Sequence, residues 1–495
     1  MSSAIDASKP AAIAALTADV RSNFLAAKNE ITALQDALAA LPAGPAGPVG
    51  PTGPSGAGAA VGLIGKAGAQ GFGVGVYPGA LPGNFYLLPG NTDQAGSNYG
   101  NYVYEDGSVL CFIPRFYYRI GYASSPRYSV YGANAIDITG TDSYTTEAAA
   151  NIAGYAMHRA FKDGATDKLG FFIDKYSASP TGTTSCKSIA SGKPISLTTN
   201  ASYTRSATQT GCTGISADAI TLSRSRGAAF NAASAFMYSA VRLLALAHAQ
   251  AAAGVIACAW WSSGGINFTK GCNNASLRDA DDTSVLYVTA GDVGSASKPL
   301  TGSGLPFAKT THNGQLCGIC DINGGVAELA IGITTPGTSA TDTTTAGHGD
   351  AYALKTSVAL ASITAGWNGT TDAWGDAAHL ATLYDSMPAI FPWGASTATV
   401  KVGNGGNNVF SSAQSGIGWL RTACGIPDTT SGTSAAGTDQ FGHDVINQNN
   451  VANLAAVTGG VWSLSADAGL CWQHFGTSRS TDNISIGFRA AAYGA

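Results

Sequence analysis

The chain has 495 residues, of which 45% are hydrophobic and only 11% charged, with a net charge of −4. Soluble domains usually carry about a quarter charged residues, so the balance excludes the basic footprint of a nucleic-acid binder. With 64 glycines, it points to a loop-rich exterior that hydrogen-bonds through Ser, Thr and Asn, contacts that salt hardly screens.

The start, Met1 to Asp6, has neither a basic region nor an apolar run. It does not read as a secretory leader, and the expectation is synthesis in the cytoplasm and release by lysis. The first predicted element is a helix over Ser8 to Leu41, with Ser8 as N-cap and Pro10 in the first turn. Apolar residues fall at Ile13, Leu16, Val20, Phe24, Ala27, Ile31, Leu34, Leu38 and Leu41. Their spacings alternate between three and four with one stutter after Val20, which is the seam of a coiled coil.

From Gly44 to Gly71 every third residue is Gly, except at Ala59, and Pro follows Gly at Pro45, Pro48, Pro51 and Pro54. Only Gly fits the axis of a collagen triple helix, and Pro presets its backbone. This register predicts three chains, a homotrimer, and a rod of roughly 80 Å at about 3 Å per residue. Ala59 weakens it locally, and after Pro54 no triplet carries Pro. The predicted divisions are 1–43 for the coiled coil, 44–73 for the collagen-like stalk and 74–495 for a single head.

Within the head, the run from Tyr102 to Leu110 reads as strand, turn, strand, and Ile113–Ile120 and Leu169–Tyr176 read as further strands. Gly227 to Ala252 reads as a buried helix, and Ala373 to Tyr384 as a shorter one. The most apolar stretch, Phe236 to Ala253, carries Tyr238, Ser239, Arg242, His248 and Gln250. It suits a soluble core, and no membrane insertion is expected. The fold class is α+β.

Nine cysteines are scattered along the chain. Cys317 and Cys320 form a CxxC without a second ligand pair, so they read as core or turn residues. Arg278 to Asp282 offers oxygen ligands but not the spacing of a calcium loop, and reads as a solvated turn. No GxSxG, HExxH or phosphate loop occurs. No cofactor, metal or catalytic residue is predicted.

Three blocks resemble a known family. Gly459, Gly460 and Trp462, followed by Ile486, Gly487, Phe488 and Arg489, resemble the GGxW…IGFR ending of the C-type lectin-like fold. The branch is the one shared by formylglycine-generating enzymes and phage tropism determinants. His312 to Glu328 is similar to that branch's G-x-x-D-x-x-G-N-V-W-E segment, with Gly325 and Ala327 replacing Asn and Trp. Gly170 to Tyr176 resembles its early strand. Val20 to Phe24 looks like the start of many phage tail fibres, where it anchors the fibre to the tail.

The resemblance implies that Trp462 and Phe488 are core residues and Arg489 a buried charge bound by carbonyls. It implies that the intervening segment forms exposed loops and an exposed strand that contact a ligand. The receptor-binding residues so predicted are Ser465, Asp467, Trp472, Gln473, His474, Phe475, Ser478, Arg479 and Asp482. Of these, Trp472, His474 and Phe475 are the expected aromatic anchors. The loops at 332–350 and 404–408 are the alternative location. The enzymes' two copper cysteines would fall at Leu464 and Gly469, so oxidase activity is not expected.

The function this predicts is a phage tail fibre, a virion component that binds a host-surface receptor. The receptor is a pilus, an outer-membrane protein or a glycan. Tail or baseplate proteins would be held through the N-terminal segment. The alternatives are a tail-borne glycan-degrading enzyme on the same stalk, which needs paired carboxylates, and a structural collagen-like surface protein.

Overall fold

The computed structural model describes residues 16–39, 61–182, 184–204, 214–251, 270–292, 296–335, 351–363, 380, 382–388, 397–402, 410–428, 444–449, 451–464 and 468–494. The chain divides into two compact units, Met1–Gly58 and Ala59–Ala495. In the first unit, α1 covers Leu16–Ala39. Phe24, Leu25, Ile31 and Leu34 on it are all more than half exposed. The predicted triplets from Gly44 to Gly56 lie outside the described residues.

The second unit is a mixed α/β body, mostly sheet with few helices. In chain order its main elements are β1 (Phe85–Leu87), β2 (Asn101–Tyr104), β3 (Val109–Pro114), β4 (Phe116–Ile120), β5 (Ile136–Gly140), β6 (Ala156–Met157) and β7 (Gly170–Asp174). Then come α2 (Ile215–Arg224), β8 (Phe230–Ala232), α3 (Ala235–Ala251), β9 (Ala327–Ala330), β10 (Ile333–Thr334), β11 (Ala351–Leu354) and β12 (Tyr384–Met387). The last are β13 (Thr397–Lys401), α4 (Gly416–Ala423), β14 (Val445–Asn449), β15 (Leu454–Thr458), β16 (Gln473–Ser478), β17 (Ile486–Gly487) and β18 (Ala490–Tyr493).

One six-stranded sheet runs β1-β2-β3-β7-β18-β8, and a second runs β13-β14-β16-β15-β9-β17. Two three-stranded sheets, β10-β11-β12 and β5-β4-β6, accompany them. The aromatic strand β7 lies beside β3, with Phe172 opposite Phe112 and fully buried. A Cβ at Gly170 would meet the Ile113 carbonyl at 2.3 Å, so only glycine lets β7 begin against β3. The helix α3 is buried on every face down to Gln250, as its all-round apolar sequence requires. Among the described residues no helix is long and apolar enough to cross a membrane.

Several expectations are corrected. The collagen-like reading does not hold for residues 61–73. Gly62, Gly65, Gly68 and Gly71 have φ between 78° and 87°, whereas a triple helix needs φ near −75°. Ile64 and Phe72 are instead buried in the core of the second unit. The predicted strand Ile113–Ile120 breaks at Arg115, sending β3 and β4 into different sheets. The helix predicted from Gly227 starts only at Ala235, because Phe230–Ala232 pairs with β18 and Ser234 Oγ accepts the Met237 N–H. Of the predicted helix Ala373–Tyr384, residues 373–379 and 381 lie outside the described residues, Leu380, Thr382 and Leu383 are helical as expected, and only Tyr384 departs, opening β12.

Candidate functional site

The two ends of the GGxW…IGFR segment are fixed from inside. Gly459 and Gly460 have φ of 91° and 88°, which turns the chain so that Trp462 N–H donates to Gly325 O at 2.9 Å. The Trp462 carbonyl accepts from Ala275 N–H at 2.7 Å, and its ring is buried with Val285 and Val326. At the other end Phe488 and Arg489 are wholly buried. The Arg489 guanidinium donates to the carbonyls of Asp174, Lys175 and Cys320 and pairs with Glu328 of β9. The roles implied for Trp462, Phe488 and Arg489 are those the structure has.

The strand between them sits differently from the expectation. Rather than standing free, β16 is interior to its sheet, parallel to β14 and antiparallel to β15. Its residues alternate between buried and half-buried, the period of a strand with one face in a core. Trp472, Gln473, Phe475 and Arg479 are all buried. Phe475 and Trp472 belong to the main core, Gln473 Nε2 donates to Gly425 O, and Arg479 Nη2 donates to Asn453 Oδ1 at 2.6 Å. These four are therefore not surface contacts. Ser465 and Asp467 lie outside the described residues, as do most of the alternative loops, at 336–350 and 403–409.

His474, Ser478 and Asp482 remain at the surface, the first two half-buried and the third exposed. The His474 ring lies parallel to that of Trp472, 6.0 Å between centroids, and Nδ1 pairs with Thr477 Oγ1 at 3.0 Å. Burial lowers its pKa, so it stays neutral near pH 7. Asn447 of β14 stands opposite it. The Ser478 and Ser480 hydroxyls are 3.0 Å apart. Asp482 Oδ2 accepts Thr199 Oγ1–H at 2.6 Å and Thr199 N–H at 2.9 Å, and these bonds hold its carboxyl below the usual range.

The result is a polar ridge of an imidazole, hydroxyls, amides and one carboxylate on a packed sheet. Sequence reasoning missed Thr199 and Asn447, which reach it from distant parts of the chain. Such a ridge offers neutral donors and acceptors at fixed positions.

The rest of the site chemistry is quiet. The seven described cysteines are buried, Cys317 in a turn and Cys320 in a bridge with Thr311. Burial pushes the thiols of Cys111, Cys272 and Cys424 up to about 12, far from the thiolate a nucleophile or soft-metal ligand needs. Asp279 is not part of a solvated turn. Its carboxylate is buried and accepts N–H groups of Gly271, Asp281 and Asp282 at 2.6, 2.8 and 2.9 Å. Among the described residues no three His, Cys, Asp or Glu side chains are grouped to hold a metal ion.

No family model matches the chain, and no curated protein does. Among solved structures it is similar to a protein named Major Tropism Determinant I1 Variant, at 11% identity and a TM-score of 0.23, over 85% of this chain and 76% of that one. The U1 Variant gives 10% identity and the same score over the same shares.

Proposed function

We propose that this chain is a bacteriophage tail fibre, a virion component whose C-terminal head binds a receptor on the host surface. The head is read as C-type lectin-like, from the GGxW and IGFR blocks. The chain acts as a parallel homotrimer, held by the α1 seam and the glycine register before residue 61, and its N-terminal segment contacts tail or baseplate proteins. It carries no catalytic role. Leu464 and Gly469 occupy the slots of the two copper cysteines, and fold resemblance alone does not bring an activity with it.

One observation carries the reading. The segment between Trp462 and Arg489 is pinned in the core at both ends, yet it presents polar side chains outward at His474, Ser478, Ser480 and Asp482. Outward residues on a rigid scaffold can change without unfolding it, which suits recognition. With one carboxylate on the ridge, steering is weak and hydrogen bonds dominate, so three heads on one stalk supply avidity.

The test is saturable adsorption of the labelled full chain to a panel of bacterial strains, with the surface polysaccharide of each strain assayed for shortening. Binding to a subset of strains without shortened glycan supports the reading. Shortened glycan means the enzymatic alternative holds, and no binding to any strain contradicts both.

A further inference from the structure

We infer that residues 62–76 form a docking hairpin seated in a cleft of the head, and that this seat is the mechanical joint for whatever precedes residue 61. The arms pair through Gly62 N–H to Val76 O at 2.8 Å and Gly73 N–H to Ile64 O at 3.2 Å. Ile64, Phe72, Val74 and Val76 bury their side chains in the core.

The tip is gripped by four buried side chains, His248, His312, Asn313 and Gln315. His248 Nδ1 accepts Gly68 N–H at 3.1 Å while its ring stacks on Phe72, 5.2 Å between centroids. Gln315 accepts Gly71 N–H at 2.7 Å and donates to Ala69 O at 3.3 Å. Asn313 Nδ2 donates to Phe72 O at 2.8 Å, and His312 Nε2 stands 3.1 Å from Gly73 O.

The four gripping side chains hydrogen-bond to main-chain groups of the tip, so the grip selects a backbone shape. That shape needs left-handed residues at positions 65, 68 and 71, which glycine adopts without strain. A Cβ at Gly71 would also meet Gln94 Cγ at 2.5 Å and the Tyr99 ring at 2.9 Å. The period-three glycines at 65, 68 and 71 therefore serve the seat and not a triple helix.

The gripping turn is itself held from behind. Ile319 N–H donates to His312 Nδ1 at 3.0 Å, and the next carbonyl, Cys320 O, accepts from Arg489 at 2.5 Å. Load on the hairpin thus reaches the same arginine that fixes the end of the candidate binding segment. The joint is independent of what the head binds.

Hydrogen–deuterium exchange of the full chain tests this. The amides of residues 68–73 should exchange on the order of a hundredfold more slowly than those of the exposed turn at Ala123 and Ser124. The Asn313→Ala, Gln315→Ala double variant should speed them by roughly tenfold while leaving Gly170–Asp174 unchanged. Exchange at the turn's rate in the unaltered chain, or no change in a folded double variant, overturns the joint. Should the double variant unfold, the unaltered chain decides alone.

Discussion

Glu328 Oε1 stands 2.7 Å from Arg489 Nε, with neither side chain open to solvent. The pair joins β9 of one six-stranded sheet to the residue preceding β18 of the other. Carbonyls of Asp174, Lys175 and Cys320 take the remaining guanidinium protons along with Ser177 Oγ. A buried charge so placed is tolerable only while every partner is present.

Arg489→Met should therefore destabilise the head by about 3–5 kcal/mol, because Glu328 is left as an uncompensated buried charge. Glu328→Gln together with Arg489→Met should recover part of that loss. Denaturant unfolding of the unaltered chain and the two variants checks both statements.

Trp472→Ala and Phe475→Ala should each cost about 3–5 kcal/mol as cavities in a packed core. The loss should register in the unfolding midpoint and not as a selective loss of adsorption by a fully stable protein.

Acid should weaken the head through its buried histidines. Burial drives His158 and His312 down to about 3 from 6.5. For a histidine whose folded pKa is depressed, the stability is whole above the unfolded value and is lost as pH falls from 6.5 towards 3. Each histidine contributes a slope of up to about 1.4 kcal/mol per pH unit across that window. His158 Nδ1 accepts Ala160 N–H at 3.1 Å, and Nε2 has no partner among the described residues. His158→Asn keeps a capping acceptor and removes the titration. Its stability between pH 6 and 4 should fall less steeply than that of the unaltered chain.

The α1 seam leaves Phe24, Ile31 and Leu34 at 72%, 56% and 61% exposure. Ile31→Asn with Leu34→Asn should shift the sedimentation mass of the full chain from three copies towards one. An unchanged trimer would place the assembly contacts elsewhere.

The sequence made the frame legible and hid the surface. Trp462, Phe488 and Arg489 were readable because a block motif fixes their roles. The strand β15 was not, since Leu454–Thr458 is a run of small and apolar residues buried throughout, without alternation. Trp472 and Phe475 looked like exposed anchors because polar neighbours surround them. In the fold, the two-residue period of β16 turns Phe475 inward beside Gln473 and Thr477. The glycine register misled at its C-terminal end, because period three says nothing about the sign of φ. Nothing local marks Thr199 or Asn447 as neighbours of Asp482 and His474, which long-range pairing alone brings together.

The central claim is that the outward ridge of β16 and the turn after it bind the host surface. Its most direct test is adsorption of the Ser478→Lys, Ser480→Lys variant of the full chain to a strain that binds the unaltered chain. Both side chains point out of the sheet or lie in the turn, so the variant should fold and unfold as the unaltered chain does. Placing two ammonium groups on a ridge built of neutral donors and acceptors should abolish saturable binding. Unchanged saturable binding by the folded variant would contradict the account.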